Sequence, residues 1–230
     1  IINDEIFISY IDKDSCDKVS IAKAKINFKF LQFEKFYSWD GCVNNELGFN
    51  DDKTLLDQRN AGRIRNADDD HIFFTIGNYY KFSKDKALSQ DMDSLFGSII
   101  KINKTNKNYS IISKGHRNQQ GLYFDQKTNY LLTTEHGPQG GDELNILNLN
   151  DEEIQNFGWP ISSYGVHYPS HVEHWKKIGA EKIFNKLAPL KKSHSQFGFK
   201  EPLKYWTPSI GISEIIKIPN SFDNSFINDF

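Results

Sequence analysis

Residues 131–147 read LLTTEHGPQGGDELNIL. Two apolar runs flank a loop that crowds Glu135, His136, Gly137, Pro138, Gly140, Gly141, Asp142 and Glu143 together. A simple hairpin needs about two to five connecting residues and no such density of acids. Calcium takes about six to eight oxygen ligands and accepts backbone carbonyls from sharply turned loops. The Gly-Pro and Gly-Gly pairs let the backbone bend its carbonyls inward, and Asp142 and Glu143 supply negative charge. The pattern is not an EF-hand, whose acids alternate over about twelve residues. The plainer reading is a long hairpin with surface acids.

Two further polar stretches invite chemistry. In KGHRNQQGLYF (114–124), Arg117 and Asn118 immediately precede a strand-like run. An Arg-Asn pair there can offer a rigid guanidinium fork and an amide to a carboxylate or quinone oxygen; a solvated turn is the plainer alternative. In NFGWPISSYG (156–165), Trp159 follows a glycine and precedes a proline, a setting in which a large aromatic usually serves packing.

The elements that must position these loops are mostly strands. Runs rich in β-branched and aromatic residues recur at 5–11, 18–28, 71–80, 98–102, 109–113, 121–124, 130–134, 143–149 and 214–218. From Phe96 to Leu149 they recur at roughly the 8–12-residue spacing of a sandwich, barrel or propeller. Turn signals such as DKDSCD, NKTNKN and DQKTN separate them. The exception is 170–192, where Val172, Trp175, Ile178 and Ile183 are spaced as an amphipathic helix requires. Gly179 and Pro189 limit its length. It reads as an insertion over one end of a β structure. No low-complexity linker divides residues 1–230, which read as one incomplete domain.

The 230 residues carry 28 Lys+Arg against 30 Asp+Glu. This balance offers no electrostatic case for nucleic acid or an anionic membrane, and no apolar run is long enough to span a bilayer. Cys16 and Cys42 are too few and too far apart for a Cys-x-x-Cys zinc site; a disulfide and two buried thiols both stay open. The chain begins at Ile1 inside a strand pattern and stops at Phe230 in another, so it reads as an internal fragment, silent about a signal peptide.

Taken in order, GHRNQQGLYF, EHGPQGGDELNIL and NFGWPISSYG resemble the glucose/sorbosone dehydrogenase family, the soluble PQQ-dependent aldose sugar dehydrogenases. AGRIRNADDDHIFFTIGN (61–78), LFGSIIKIN (95–103) and WTPSIGIS (206–213) extend the match over most of the chain. The resemblance implies an all-β fold, a six-bladed β-propeller of four-stranded antiparallel blades, of which about four would fit here. It implies pyrroloquinoline quinone (PQQ) held by calcium, with two calcium sites possible. Gly137 and Pro138 match the carbonyls that ligate the cofactor's calcium. Asp142 and Glu143 match the stretch that holds a second calcium, with the Phe157 carbonyl completing it. Arg117 and Asn118 match the pair that contacts the quinone, and His136 borders it. A sugar or sugar-derived substrate, an electron acceptor if the protein is active, and a periplasmic or secreted location follow from the same resemblance.

The chain departs from the family at the base. The family's histidine lies four residues before the arginine of His-x-x-Gly-Arg, where this sequence has Arg59 in RNAGR. The aspartate that orients it is replaced by Asn78. Arginine cannot act as a base at ordinary pH, and asparagine cannot stabilise an imidazolium as a carboxylate would. Losing a general base costs about 10²–10⁴-fold in rate. Three readings follow: an oxidoreductase with an altered substrate or its base supplied elsewhere, a non-catalytic propeller that binds calcium and PQQ or sugar, or a structural propeller whose calcium loop only stabilises the fold.

Overall fold

The computed structural model describes residues 2, 4–27, 29–43, 60–79 and 86–218. Three antiparallel sheets make up the body of the chain. The first pairs β1 (Glu5–Lys13), β2 (Asp17–Lys25) and β3 (Glu34–Ser38). The second holds β4 (Ala61–Asn66), β5 (His71–Ile76), β6 (Ser98–Asn103) and β7 (Tyr109–Lys114). The third holds β8 (Gln119–Asp125), β9 (Tyr130–Glu135) and β10 (Asp142–Asn148). The short β11 (Gln155–Asn156) returns to pair in parallel with β7, and β12 (Lys204–Trp206) closes the third sheet on β10.

The centre of the middle sheet is buried on both faces, which is why β5 and β6 read as continuous apolar runs. Ile72, Phe74 and Ile76 of β5 pack with Ile21 and Phe36 of the first sheet. Phe73, pointing the other way, packs with Leu122, Leu131, Leu147 and Phe157 of the third. This is successive blades stacked face to face, an incomplete β-propeller with no closed barrel.

Among the described residues three sheets are formed. The run 214–218 forms no strand; Ser213 instead accepts a hydrogen bond from the Thr134 hydroxyl, and the Glu214 carboxylate accepts one from Leu122 N. Strands β3, β4 and β12 lie outside the apolar runs read from the sequence. The expected helix is two, α1 (Pro169–Lys177) and α2 (Glu181–Leu187), broken where Gly179 takes φ +71°. Their buried contact is Trp175 stacked on Phe184 at 4.8 Å, whereas Ile178 and Ile183 face solvent. No helix among the described residues is long and apolar enough to cross a membrane. Cys16 and Cys42 form a disulfide.

Candidate functional site

The polar loops converge where β8 begins and β9 ends. A cleft of about 520 Å³ opens there, lined by Arg117, Asn118, His136, Gly137, Asp142, Tyr168, Ser170, His171, Ser209 and Gly211. Its volume falls within the roughly 300–1,000 Å³ of small-molecule sites. Five of the residues singled out by sequence as cofactor or metal contacts, Arg117, Asn118, His136, Gly137 and Asp142, therefore share one opening.

Arg117 is fixed from several sides. Its Nη1 donates to the His136 carbonyl at 2.8 Å, its backbone N–H donates to Glu135 Oε2 at 2.7 Å, and its guanidinium lies 5.3 Å from the Trp159 ring. Such a cation–aromatic contact favours a planar guanidinium. Asn118 Oδ1 accepts from Ala61 N at 3.1 Å and Gln120 Nε2 at 2.9 Å, so its NH₂ is the group left to offer a ligand. His136 Nε2 pairs with the Ile212 carbonyl at 2.6 Å.

Below the cleft lies a buried polar layer. Glu135 and Glu143 stand opposite each other on β9 and β10, an arrangement that like charges disfavour. Asn145 Nδ2 reaches both carboxylates, at 2.7 and 3.3 Å. His116 Nδ1 meets Glu135 Oε1 at 2.9 Å, and its ring stacks on Phe157. Burial works against charge on Glu135, but His116 and the Arg117 and Asn145 donors outweigh it and hold its carboxyl below the usual range. Burial pushes Glu143 up, aided by Glu135.

Asp142 is a clamp. Its Oδ1 accepts from Gly137 N at 3.1 Å and Ser209 Oγ at 2.7 Å. Its Oδ2 accepts from the backbone N–H groups of Ile210, Gly211 and Ile212 at 3.2, 2.8 and 3.2 Å. Burial alone would raise its carboxyl, and these donors instead hold it low. The carboxylate thus bolts the WTPSIGIS segment to the acidic loop. The loop itself is close-packed glycine: a Cβ on Gly137 would lie 2.1 Å from the Gly141 carbonyl, and one on Gly141 2.3 Å from Gly165 N. Lys192 ties Gly165 and Ser163 down through their carbonyls.

Two groups implied by the sequence resemblance can be tried against this geometry. For the cofactor and its calcium the residues fit. Among the described residues the Gly137 and Pro138 carbonyls accept no hydrogen bond, so both remain available as ligands. Arg117, with Lys192 nearby, gives the surroundings positive charge suited to an anionic quinone; burial, with the Lys192 and Arg117 charges, lowers the His167 imidazole and favours its neutral form. For the second calcium the residues do not fit. Asp142 is saturated with donors, and the space beside Glu143 and the Phe157 carbonyl holds the His194 ring, whose Nε2 lies 3.4 Å from Glu143 Oε1.

Of the base-pair positions, Arg59 lies outside the described residues. Asn78 is buried beneath Arg117 and Trp159 and does not line the cleft. Its amide donates to the Arg117 carbonyl at 3.2 Å and accepts from Trp159 Nε1 at 2.8 Å. Trp159 is therefore a packing residue that also supports Arg117. Sequence reasoning missed Tyr168, Ser170, His171, Ser209 and Gly211. The last two sit inside the quoted WTPSIGIS motif, while the first three come from the inserted helical segment, whose start carries no signal of a cleft wall.

Fold and cleft together define an incomplete β-propeller that gathers an Arg-Asn pair, a histidine and a glycine-rich carbonyl loop into one opening. The chain belongs to the glucose/sorbosone dehydrogenase family, whose model matches residues 3–228. It is 27% identical over 166 residues to the aldose sugar dehydrogenase YliI of Escherichia coli K12, covering 66% of this chain and 38% of that protein. It is 35% identical over 101 residues to the Synechocystis protein slr1608, covering 44% of this chain and 20% of that protein. Among solved structures, the apo soluble aldose sugar dehydrogenase of E. coli superposes with a TM-score of 0.63 at 21% identity, covering 93% of this chain and 57% of that one. A glucose dehydrogenase superposes with a TM-score of 0.63 at 20% identity, covering 92% and 57%. The chain thus spans little more than half the length of these structures, and they establish the fold alone.

Proposed function

We propose that the intact protein is a PQQ- and calcium-dependent sugar dehydrogenase of this family, acting on an aldose or a sugar-derived substrate. The observation that carries this reading is the convergence of Arg117, Asn118, His136 and Gly137 on one cleft beside two carbonyls that accept no hydrogen bond among the described residues. Gly137 and Pro138 would hold the calcium, and the bound quinone would supply the hydride acceptor for the sugar's anomeric carbon. Arg117 offers its fork and Asn118 its NH₂ to quinone oxygens, both pre-positioned by bonds that need not reorganise on binding. His136, its ring oriented by the Ile212 carbonyl, would border the quinone. Tyr168, Ser170 and His171 form the wall that a substrate would meet. An electron acceptor regenerates the oxidised cofactor. The Cys16–Cys42 disulfide supports a periplasmic or secreted location, since such bonds persist in oxidising compartments.

A second reading, a propeller that binds calcium and PQQ or sugar without oxidising it, is favoured by Asn78. Its amide is spent on Arg117 and Trp159 and orients no base.

PQQ titrated into the intact protein, with calcium or with a chelator, tests the proposal. Saturable, calcium-dependent binding is expected, weakened about tenfold or more in Arg117→Lys because a lysine loses the planar fork. Binding that ignores both calcium and Arg117→Lys would contradict it.

A further inference from the structure

His194 takes no part in the cleft, yet it is among the most enclosed polar side chains of the chain, at 1% exposure. It sits at the start of the short turn Ser195–Phe197. Its ring stacks on Tyr164 at 5.4 Å and 12°, and Tyr164 stacks on Tyr205 at 3.7 Å and 3°. Tyr164 is anchored by its hydroxyl, which donates to Glu201 at 2.7 Å. The imidazole is thus held in one plane by a stack of three rings. Its Nε2 stands 3.4 Å from Glu143 Oε1, and the Phe157 backbone carbonyl acts on the same ring. Neither ring nitrogen completes a well-aligned hydrogen bond.

Asp142, Glu143 and the Phe157 carbonyl are the groups that the family resemblance gives to a second calcium. We infer that His194 stands in that calcium's place: its imidazole lies against the Glu143 carboxylate, beside the Phe157 carbonyl, and this chain needs no metal there. The inference rests on the family reading of the loop but goes against one of its expectations. Calcium demands about six to eight oxygens at close range. Here Asp142 has both oxygens filled by five donors, and Glu143 Oε2 faces Asn145 Nδ2 at 3.3 Å. An imidazole contributes no oxygen, and the ring, pinned by Tyr164, occupies the place beside Glu143. Where a calcium ion would lie between a carboxylate and a carbonyl, two acceptors that otherwise repel, an N–H-bearing ring from within the chain stands instead.

Calcium titration by calorimetry, on the chelated intact protein without PQQ, tests this. The wild type and Glu143→Gln should bind the same number of ions, since Glu143 is not a ligand. His194→Asp, which replaces the ring with carboxylate oxygens, should bind one more ion and gain a calcium-dependent rise in Tm. A drop of one ion in Glu143→Gln, or an unchanged count in folded His194→Asp, would overturn the inference. If His194→Asp does not fold, the count for Glu143→Gln decides alone. A wild type that binds no calcium at all would count against the cofactor reading of Gly137 and Pro138 while leaving the His194 inference standing.

Discussion

Asn78→Asp restores the residue type that the family pattern calls for and should nonetheless damage this protein. The Asn78 side chain is buried at 2% exposure, with its NH₂ 3.2 Å from the Arg117 carbonyl and its oxygen 2.8 Å from Trp159 Nε1. A carboxylate keeps the indole bond but turns a lone pair toward the Arg117 carbonyl, placing two acceptors face to face. The carboxyl escapes by taking a proton, which raises its folded pKa well above the unfolded value of about 3.9. Between those two values the folded state binds more protons than the unfolded state, so stability falls as pH rises. At about 1.36 kcal/mol per pH unit, the penalty is about 1.5 kcal/mol at pH 5 and grows toward about 4 kcal/mol near pH 7. Urea unfolding of wild type and variant at both pH values measures it. A variant as stable as wild type at pH 7, or a penalty that does not grow with pH, would refute the claim that Asn78 is fixed by needing both a donor and an acceptor.

Other perturbations follow from the same structure. Asp142→Asn turns one side of the clamp from acceptor to donor and should cost about 2–4 kcal/mol in urea unfolding, since a hydrogen bond to a charged group contributes about 1.5–3 kcal/mol. Lys114 is fully buried among the Leu88, Ser94 and Phe96 carbonyls, and burial pushes its ammonium down to about 7. The unfolded chain therefore binds the extra proton between about pH 7 and 10.4, and stability should rise with pH across that window by up to about 4–5 kcal/mol; a flat profile would contradict it. Reducing the Cys16–Cys42 bond, which closes a loop of separation 26, should lower stability by about 3 kcal/mol, read as a lower urea midpoint.

The sequence showed most where a strand is buried on both faces. HIFFTI and SIIKI are apolar because sheets cover them on either side; SIIKI and YLLTT form strands within a residue of their expected spans, whereas the strand expected over 71–80 ends at Ile76. AGRIRN and EKFYS also form strands, but half-buried positions let them carry Arg and Lys, so no apolar run marks them. EIIKI carries the right residues without pairing, because a strand is a relation to a neighbour rather than a property of a segment. Within the site, the contributions of Arg117, Asn118, His136 and Gly137 were legible because contiguous motifs carry them. His194, some fifty residues from Glu143 in the chain, was not: only the fold brings that ring to that carboxylate. The same holds for Tyr168 and His171, whose helical segment gives no hint of the cleft it borders.

The central claim is that this cleft holds a quinone that oxidises a sugar. The most direct test loads the intact protein with calcium and PQQ, excludes oxygen, adds aldoses and sugar acids in turn, and follows the quinone's absorption. The account predicts conversion to the reduced spectrum with at least one of them. An unchanged spectrum in protein shown to contain PQQ would contradict the dehydrogenase reading and leave a binding propeller.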